Sequence, residues 1–166
     1  MIDYSKNQKR ILADEVLKKM RQNNKIIILA GDLGYRMWDE IRKEFPQRFI
    51  NVGAAEQAMM GIAVGLALSD KIPIVYSITP FLLYRPFETI RNYINREKIG
   101  VKMIGSGRDN DYGNEGFSHW ASEDRKIMKI FTNIKSVWPK TGKEIPEIAE
   151  RMIKDKGPWY VNLKKG

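Results

Sequence analysis

The glutamate at position 56 stands where carboxylate chemistry is expected. It begins a glycine- and alanine-rich apolar run, and no other charged residue occurs before Asp70. A carboxylate in the first turn of a helix can simply interact with free backbone amides and with the helix dipole. It can also serve as a buried acid, because a helix without charged residues is expected to have both faces covered by protein. Gly61 and Gly65 lie one turn apart and would allow close approach of a helix from a second subunit.

His119 is the only histidine, and it follows a glycine-rich loop that is predicted to leave the carboxyl end of a strand. An imidazole titrates near neutral pH and can therefore exchange a proton with a substrate hydroxyl. The alternative is an imidazole that only caps the loop. The basic side chains that could hold an anionic group of a substrate are Arg85, Arg108 and Lys164 or Lys165.

A second glycine-containing segment, Gly31-Asp32-Leu33-Gly34, follows an apolar run. Glycines of this kind can let backbone amides approach a phosphate. The segment lacks both the longer glycine fingerprint and the Gly-Lys-Ser/Thr ending of phosphate loops. A tight turn between a strand and a helix is therefore the favoured interpretation.

These residues must be positioned by strands and helices that alternate along the chain. Isoleucine-rich apolar runs such as 26–30 are typical of strands buried on both faces, and apolar residues at helical spacing lie between them. The predicted strands are 26–30, 48–52, 74–78, 101–104, 136–138 and 159–163, and the predicted helices are 8–23, 37–45, 55–68, 87–97, 122–130 and 145–154. This order predicts an α/β fold with a doubly wound, mainly parallel six-stranded sheet and helices on both faces.

Ligands of such sheets bind beyond the carboxyl ends of the strands. The loops expected to carry a site are therefore 31–34, 53–57, 79–85, 105–119, 139–141 and 164–166. Glu56, Arg85 and His119 all fall within these loops.

The composition narrows the class of protein. The 166 residues are predicted to form a single domain, 1–166, and the hydrophobic fraction of 43% with 30% charged residues is that of a globular protein. Without cysteine, the chain cannot form a disulfide, a thiolate metal site or a cysteine nucleophile. The net charge of +9 is scattered among acids, so we expect no nucleic-acid binding. No apolar run is long enough for a membrane span, and we expect a cytoplasmic protein.

Three motifs carry a resemblance to a known family. Residues 48–67 contain Arg-Phe-x-x-Val-Gly-x-Ala-Glu-Gln followed by Gly-x-Ala-x-Gly-Leu-Ala, residues 113–119 read Gly-Asn-Glu-Gly-Phe-Ser-His, and residues 157–161 read Gly-Pro-Trp-Tyr-Val. Together they resemble the pyrimidine-binding domain of the transketolase family, which includes deoxyxylulose-phosphate synthase and the β subunits of 2-oxoacid dehydrogenases. The resemblance extends over about residues 14–166.

The resemblance implies that thiamine diphosphate is the cofactor. Glu56 would then hydrogen-bond N1′ of the aminopyrimidine ring and so activate the cofactor, and His119 would contact the substrate. An aromatic ring is expected to stack on the aminopyrimidine, with Phe81 the first candidate and Tyr84 the second. Phe81-Leu82 with the following Arg85 resembles the family's cofactor-facing segment, so Arg85 is also expected to bind the cofactor. Either aromatic residue, like Phe87, can instead belong to the core.

The family's other half-site carries a Gly-Asp-Gly motif that holds magnesium and the diphosphate, and that motif is not found in this chain. The resemblance therefore implies that Mg²⁺ is held by a separate diphosphate-binding subunit in a two-plus-two assembly, with two copies of this chain packed through helices such as 56–68. The implied reaction is transfer of a two-carbon ketol unit between sugar or sugar-phosphate substrates. The alternatives are a subunit of a 2-oxoacid decarboxylase or dehydrogenase, and a non-catalytic scaffold subunit.

Overall fold

A single sheet of six strands organises the computed structural model, which describes residues 7–166. The strands are β1 (Ile26–Ala30), β2 (Phe49–Asn51), β3 (Ile72–Ile78), β4 (Lys102–Ser106), β5 (Lys135–Val137) and β6 (Trp159–Leu163). Their order is β2-β1-β3-β4-β6-β5, and every neighbouring pair is parallel. The predicted doubly wound α/β fold is confirmed, and the sheet is parallel throughout.

Helices cover both faces of this sheet. They are α1 (Gln8–Gln22), α2 (Asp39–Glu44), α3 (Glu56–Leu68), α4 (Thr79–Tyr84), α5 (Phe87–Thr89), which continues as the π-helical segment Ile90–Arg96, α6 (Asp124–Met128) and α7 (Ile145–Lys154). Residues of α1, α2 and α7 pack on one face, and residues of α3 to α6 pack on the other. None of the helices within residues 7–166 has the length and apolar character that crossing a membrane requires.

Alternation along the strands explains why both faces are apolar. In β1, Ile28 packs with the first group of helices and Leu29 with the second, and in β3 Ile74 and Val75 divide in the same way. All four are fully buried. Burial of one such aliphatic side chain contributes about 1.5–3 kcal/mol, so the strands are held firmly and their carboxyl ends form a rigid edge.

The segment 79–85, which we expected to be a loop, is largely helical. Pro80 lies in the first turn of α4, where a missing backbone N–H does not interrupt helical hydrogen bonding. Leu82 and Leu83 are fully buried and fix the helix against the sheet. The helical conformation determines which side chains of residues 79–85 face the site.

Helix α3 has only one of its faces covered in the single chain. Met59, Met60 and Ala63 are fully buried, whereas Ile62 and Leu68 on the other side are 42% and 71% exposed. Among residues 7–166, apart from the adjoining residues and backbone of α3 itself, no atom lies within 4 Å of a Cβ placed on Gly61 or Gly65. The outer face of α3 is therefore apolar, shallow and open.

The strand order creates a crevice between β1 and β3. Strand β2, which follows β1 along the chain, lies on one side of β1, whereas β3 lies on the other side. Loops leaving β1 and β3 consequently diverge at their carboxyl ends, which is where doubly wound sheets bind ligands. Gly31 follows β1, Ser77 lies near the end of β3, and both reach the same side chain, Glu56.

Candidate active site

Glu56 is the first residue of α3 and enters the crevice as a buried carboxylate, only 2% exposed. The Ser77 hydroxyl donates to its Oε1 at 3.0 Å, and the Arg85 guanidinium donates to its Oε2 at 2.6 Å. A Cβ on Gly31 would lie 3.3 Å from Oε1, so a side chain at this position would crowd the oxygen. The carboxylate therefore has an inward oxygen held by the sheet and an outward oxygen held by a cation.

Arg85 joins Glu56 to Phe81. The guanidinium carbon lies 3.8 Å from the centroid of the Phe81 ring, and the Arg85 side chain is 45% exposed. Phe81 and Arg85 are four residues apart at α4, so helical geometry places them side by side. The half-buried Phe81 ring is thus a platform next to the buried acid.

His119 lies on the other side of Phe81. Their ring centroids are 4.9 Å apart in an edge-to-face arrangement, and the Tyr112 ring lies 6.1 Å from the imidazole. The Ser118 hydroxyl is 3.0 Å from Nδ1 of His119. Glu56, Arg85, Phe81 and His119, which the sequence singled out separately, therefore form one continuous set of contacts.

The other aromatic candidates lie elsewhere. The Tyr84 hydroxyl donates to Glu123 at 3.2 Å, and burial together with the Glu123 carboxylate raises the pKa of Tyr84 to about 12. Phe87 packs against the fully buried Phe131 with ring centroids 5.2 Å apart. Among the three candidates, Phe81 is the ring that contacts Arg85 and His119.

Arg108, a sequence candidate for binding a substrate anion, is a buried structural residue, only 7% exposed. Its guanidinium donates to the side chain and backbone oxygens of Asn162 and to the backbone oxygen of Pro139. The Asn162 amide in turn donates to the Thr79 hydroxyl at 3.0 Å. This network ties β6 to the start of α4 and so fixes the helix that carries Phe81.

Basic side chains extend the edge beyond His119. The ammonium group of Lys165 lies 4.5 Å from the centroid of the Tyr112 ring. The backbone N–H of Lys164 donates to Gln8, so this lysine joins the carboxyl edge to α1. Burial and the neighbouring Lys165 lower the pKa of Lys9 to about 8. A cavity of about 630 Å³ lies beside Lys9 and is lined by Asn7, Lys9, Arg10, Tyr35, Arg36, Met37 and Gly166.

Sequence reasoning missed Ser77 and Tyr112. Ser77 offered a signal, because its small hydroxyl interrupts an otherwise apolar strand one residue before the end of β3. Tyr112 lies within the glycine-rich loop, and nothing in its local pattern indicates that its hydroxyl reaches Ser106 at 2.8 Å. The segment 31–34 bends away from β1 and leads into a turn at residues 35–37, and Gly34, with a φ of 83°, packs closely on the Trp38 ring.

The chain resembles a single protein family over almost its whole length. The family described as "Transketolase, pyrimidine binding domain" matches residues 6–166. The chain belongs to this family. The resemblance stated from the motifs is thereby confirmed, and Glu56 lies within the motif that carried it.

Members of the transketolase pyrimidine-binding family that resemble this chain include separate subunits. A Methanocaldococcus jannaschii protein described as a transketolase C-terminal section is 30% identical over 161 residues, covering 96% of this chain and 51% of that protein. An apulose-4-phosphate transketolase subunit of Actinobacillus succinogenes is 35% identical over 121 residues, covering 73% of this chain and 39% of the relative. The chain thus spans about half or less of the length of these curated relatives.

A solved structure of the same family matches in three dimensions. It is described as a split gene transketolase, inactive beta4 tetramer, and superposes with a TM-score of 0.85 at 30% identity. The match covers 96% of this chain and 52% of that one. The doubly wound fold of this chain is therefore the fold of the transketolase pyrimidine-binding family.

Proposed function

We propose that this chain is the pyrimidine-binding subunit of a split, thiamine-diphosphate-dependent transketolase-like enzyme, a transferase that moves a two-carbon ketol unit between sugar substrates. The observation that carries the proposal is the buried Glu56 carboxylate, which lies in the β1–β3 crevice within the family motif. Residues 1–166 act in this proposal as one pyrimidine-binding domain.

The residues present fit the aminopyrimidine ring of this cofactor. Such a ring needs a carboxyl group at its N1′ edge and an apolar or aromatic surface on its face. Glu56 Oε2 is directed outward, and Phe81 lies beside it. The guanidinium of Arg85, which is also planar and nitrogen-bearing, contacts both groups, so the space between them accommodates a flat hydrogen-bond donor.

Each residue has a distinct task in the proposed mechanism. Thiamine diphosphate, when bound, supplies the carbanion chemistry that ketol transfer requires. Glu56 holds a proton between its Oε2 and the ring nitrogen, and Ser77 fixes the carboxylate through Oε1. Phe81 supports the face of the ring. His119, adjacent to Phe81, donates to or accepts from a hydroxyl of the sugar.

Basic side chains at the same edge of the sheet would bind the anionic group of a sugar phosphate. Lys165 contacts Tyr112, and Tyr112 lies beside His119, so positive charge begins one aromatic ring away from the proposed proton donor. Lys9 lies close enough to Lys165 for their charges to repel, and the cavity beside Lys9 is also lined by Arg10 and Arg36. Burial, and to a lesser degree the charge of Lys165, lowers the pKa of Lys9, and an anion there would favour the protonated form.

The proposed assembly has a second chain that holds Mg²⁺ and the diphosphate. The relatives named as a C-terminal section, as an apulose-4-phosphate transketolase subunit and as a split gene transketolase support this division. Two copies of this chain would pack through the open apolar face of α3, whose Gly61 and Gly65 leave room for a facing helix. The relative described as a beta4 tetramer supports self-association of this type of chain.

Reconstitution tests the proposed division of labour. The chain, a purified candidate partner with the diphosphate motif, and their mixture are each assayed with thiamine diphosphate, Mg²⁺, a ketose donor and an aldose acceptor. Only the mixture is expected to transfer the ketol unit. Tight cofactor binding and turnover by the isolated chain would refute the split site, and turnover only with 2-oxoacid donors would refute ketol transfer.

A single charged substitution tests whether two copies of this chain pack through the outer face of α3. Ile62→Arg places a cation on the open face and is expected to reduce the assembly to species with a single copy of this chain, with loss of activity. The control is Ile130→Arg, because Ile130 is 60% exposed outside α3. An unchanged mass for Ile62→Arg in analytical ultracentrifugation would exclude this face as the contact.

A further inference from the structure

Arg85 makes two contacts that a bound aminopyrimidine would also need. Its guanidinium donates to Glu56 Oε2 at 2.6 Å and lies 3.8 Å from the centroid of the Phe81 ring. One planar group therefore covers the ring and satisfies the outward carboxylate oxygen at the same time. These are the two places at which the proposed function positions the cofactor ring.

The two contacts cannot be shared. The other oxygen of Glu56, Oε1, already accepts from Ser77 and is confined by Gly31 at the sheet. Oε2 can accept a second hydrogen bond, but the guanidinium that lies 2.6 Å from it also covers Phe81, so a flat ring cannot reach both groups while Arg85 is in place. The Phe81 ring is likewise flanked by His119, whose edge-to-face contact lies 4.9 Å away. A second planar group has to displace the guanidinium.

Displacement of Arg85 is structurally easy. Arg85 is the residue that follows α4, and its side chain can turn outward by rotation about its own bonds, with the backbone unchanged. The side chain is 45% exposed, whereas the Glu56 side chain is 1% exposed. Arginine keeps its charge in water at little cost, but a buried carboxylate left without a partner is strongly disfavoured. The pair thus protects the acid and is broken from the arginine side.

We propose that Arg85 is a displaceable stand-in for the aminopyrimidine: it pairs with Glu56 and covers Phe81 until the cofactor ring replaces it. This inference rests on the proposed function. The sequence predicts that Arg85 binds the cofactor. In this proposal Arg85 instead competes with the cofactor ring for Glu56 and Phe81. The cofactor ring cannot bind while the pair of Arg85 and Glu56 is closed. The apparent affinity is therefore the intrinsic affinity multiplied by the fraction of molecules in which the pair is open.

Cofactor binding to the complex of this chain with its diphosphate-binding partner tests the proposal. Binding of thiamine diphosphate with Mg²⁺ is measured by calorimetry, and its association rate by stopped-flow fluorescence. Arg85→Met removes the charge and the planar group while keeping a stem of similar bulk. It is expected to bind the cofactor more tightly, by about tenfold if the pair is closed in about 90% of molecules, and also faster. Arg85→Lys, which keeps the charge without the plane, is expected to lie between wild type and Arg85→Met.

Controls separate this inference from the proposed function. Arg91→Met removes an exposed arginine whose hydrogen bond goes to Asn92, and it should leave the cofactor affinity unchanged. Affinity for Arg85→Met that is equal to or weaker than wild type overturns the stand-in role while leaving the split site intact. If wild type and every variant fail to bind the cofactor, the proposed function falls and this inference falls with it.

A second measurement needs neither the partner nor the cofactor. Arg85→Met in the chain alone leaves Glu56 buried without its cation and is expected to lower the melting temperature. Adding Glu56→Gln to Arg85→Met should recover part of that loss, because the amide carries no charge. An unchanged melting temperature for Arg85→Met would contradict the closed pair.

Discussion

Within residues 7–166 two carboxylates are buried, and they differ in their partners. Asp124 and Glu56 are both 2% exposed. Asp124 Oδ2 accepts from Trp138 Nε1 at 2.6 Å and from the Tyr160 hydroxyl at 3.0 Å. Tyr160 is fully buried, and Trp138 is partly buried and packs against the core. Glu56 accepts from one strand hydroxyl and from a half-exposed arginine.

The difference distinguishes a carboxylate that serves the fold from one that is available for chemistry. The donors of Asp124 cannot leave without opening the core, and burial raises the pKa of this carboxyl despite both hydrogen bonds. The arginine partner of Glu56 can leave, and its place can be taken by a ligand. Lys102 resembles Asp124 in this respect, because it is 1% exposed and donates to the backbone oxygens of Asp155 and Gly157.

The largest expected effect is on catalysis at Glu56. Glu56→Gln keeps the size of the side chain and an acceptor for Ser77, but it cannot share a proton with the cofactor ring. We expect turnover of the reconstituted enzyme to fall by about 10²–10⁴-fold, with the free energy of unfolding within about 1 kcal/mol of wild type. Steady-state kinetics and urea unfolding check this, and near-normal turnover would favour the scaffold alternative.

At Asp124 we expect a substitution to lower stability and to leave turnover unchanged. Asp124→Ala leaves the Trp138 indole and the Tyr160 hydroxyl without their acceptor inside the core. The free energy of unfolding should fall by about 2–3 kcal/mol, while the folded enzyme keeps near wild-type turnover. A variant as stable as wild type but inactive would erase the distinction between the two carboxylates.

A smaller effect is expected from pH at Lys102. Burial lowers the pKa of Lys102 to about 8 in the folded chain, from 10.5. The unfolded chain therefore binds more protons between pH 8 and 10.5, so this residue's cost to stability is present below pH 8 and is relieved as the pH rises. Relative to Lys102→Met, wild type should gain about 1–3 kcal/mol of stability over this range. Parallel pH profiles of urea unfolding for the two proteins would contradict it.

Much of the fold could be predicted from the sequence, because its cause is local. Isoleucine-rich runs such as Ile26–Ala30 can be buried on both faces only in a covered parallel sheet, so strands and fold class follow directly. The helix over Thr79–Tyr84 could not be predicted in this way. Its short length and Pro80 resemble a loop, and it is stabilised by tertiary burial of Leu82 and Leu83.

The site, like the fold, has a part that contiguous sequence patterns predict and a part that they do not. The motif around Glu56 and the loop ending at His119 identify the proposed acid and proton donor, because each is a contiguous pattern. The contacts of Glu56 with Ser77 and Arg85 are not contiguous. They depend on β1 lying next to β3 and on the direction of α4, and neither can be derived from the spacing of residues.

The most direct test of the central claim is hydrogen–deuterium exchange at C2 of thiamine diphosphate bound to the complex, followed by NMR after acid quench. If Glu56 activates the cofactor, exchange is fast in wild type and slower by about 10²–10⁴-fold in Glu56→Gln, although the variant still assembles and binds cofactor. Equal exchange rates in two complexes with equal cofactor occupancy would contradict the role assigned to Glu56.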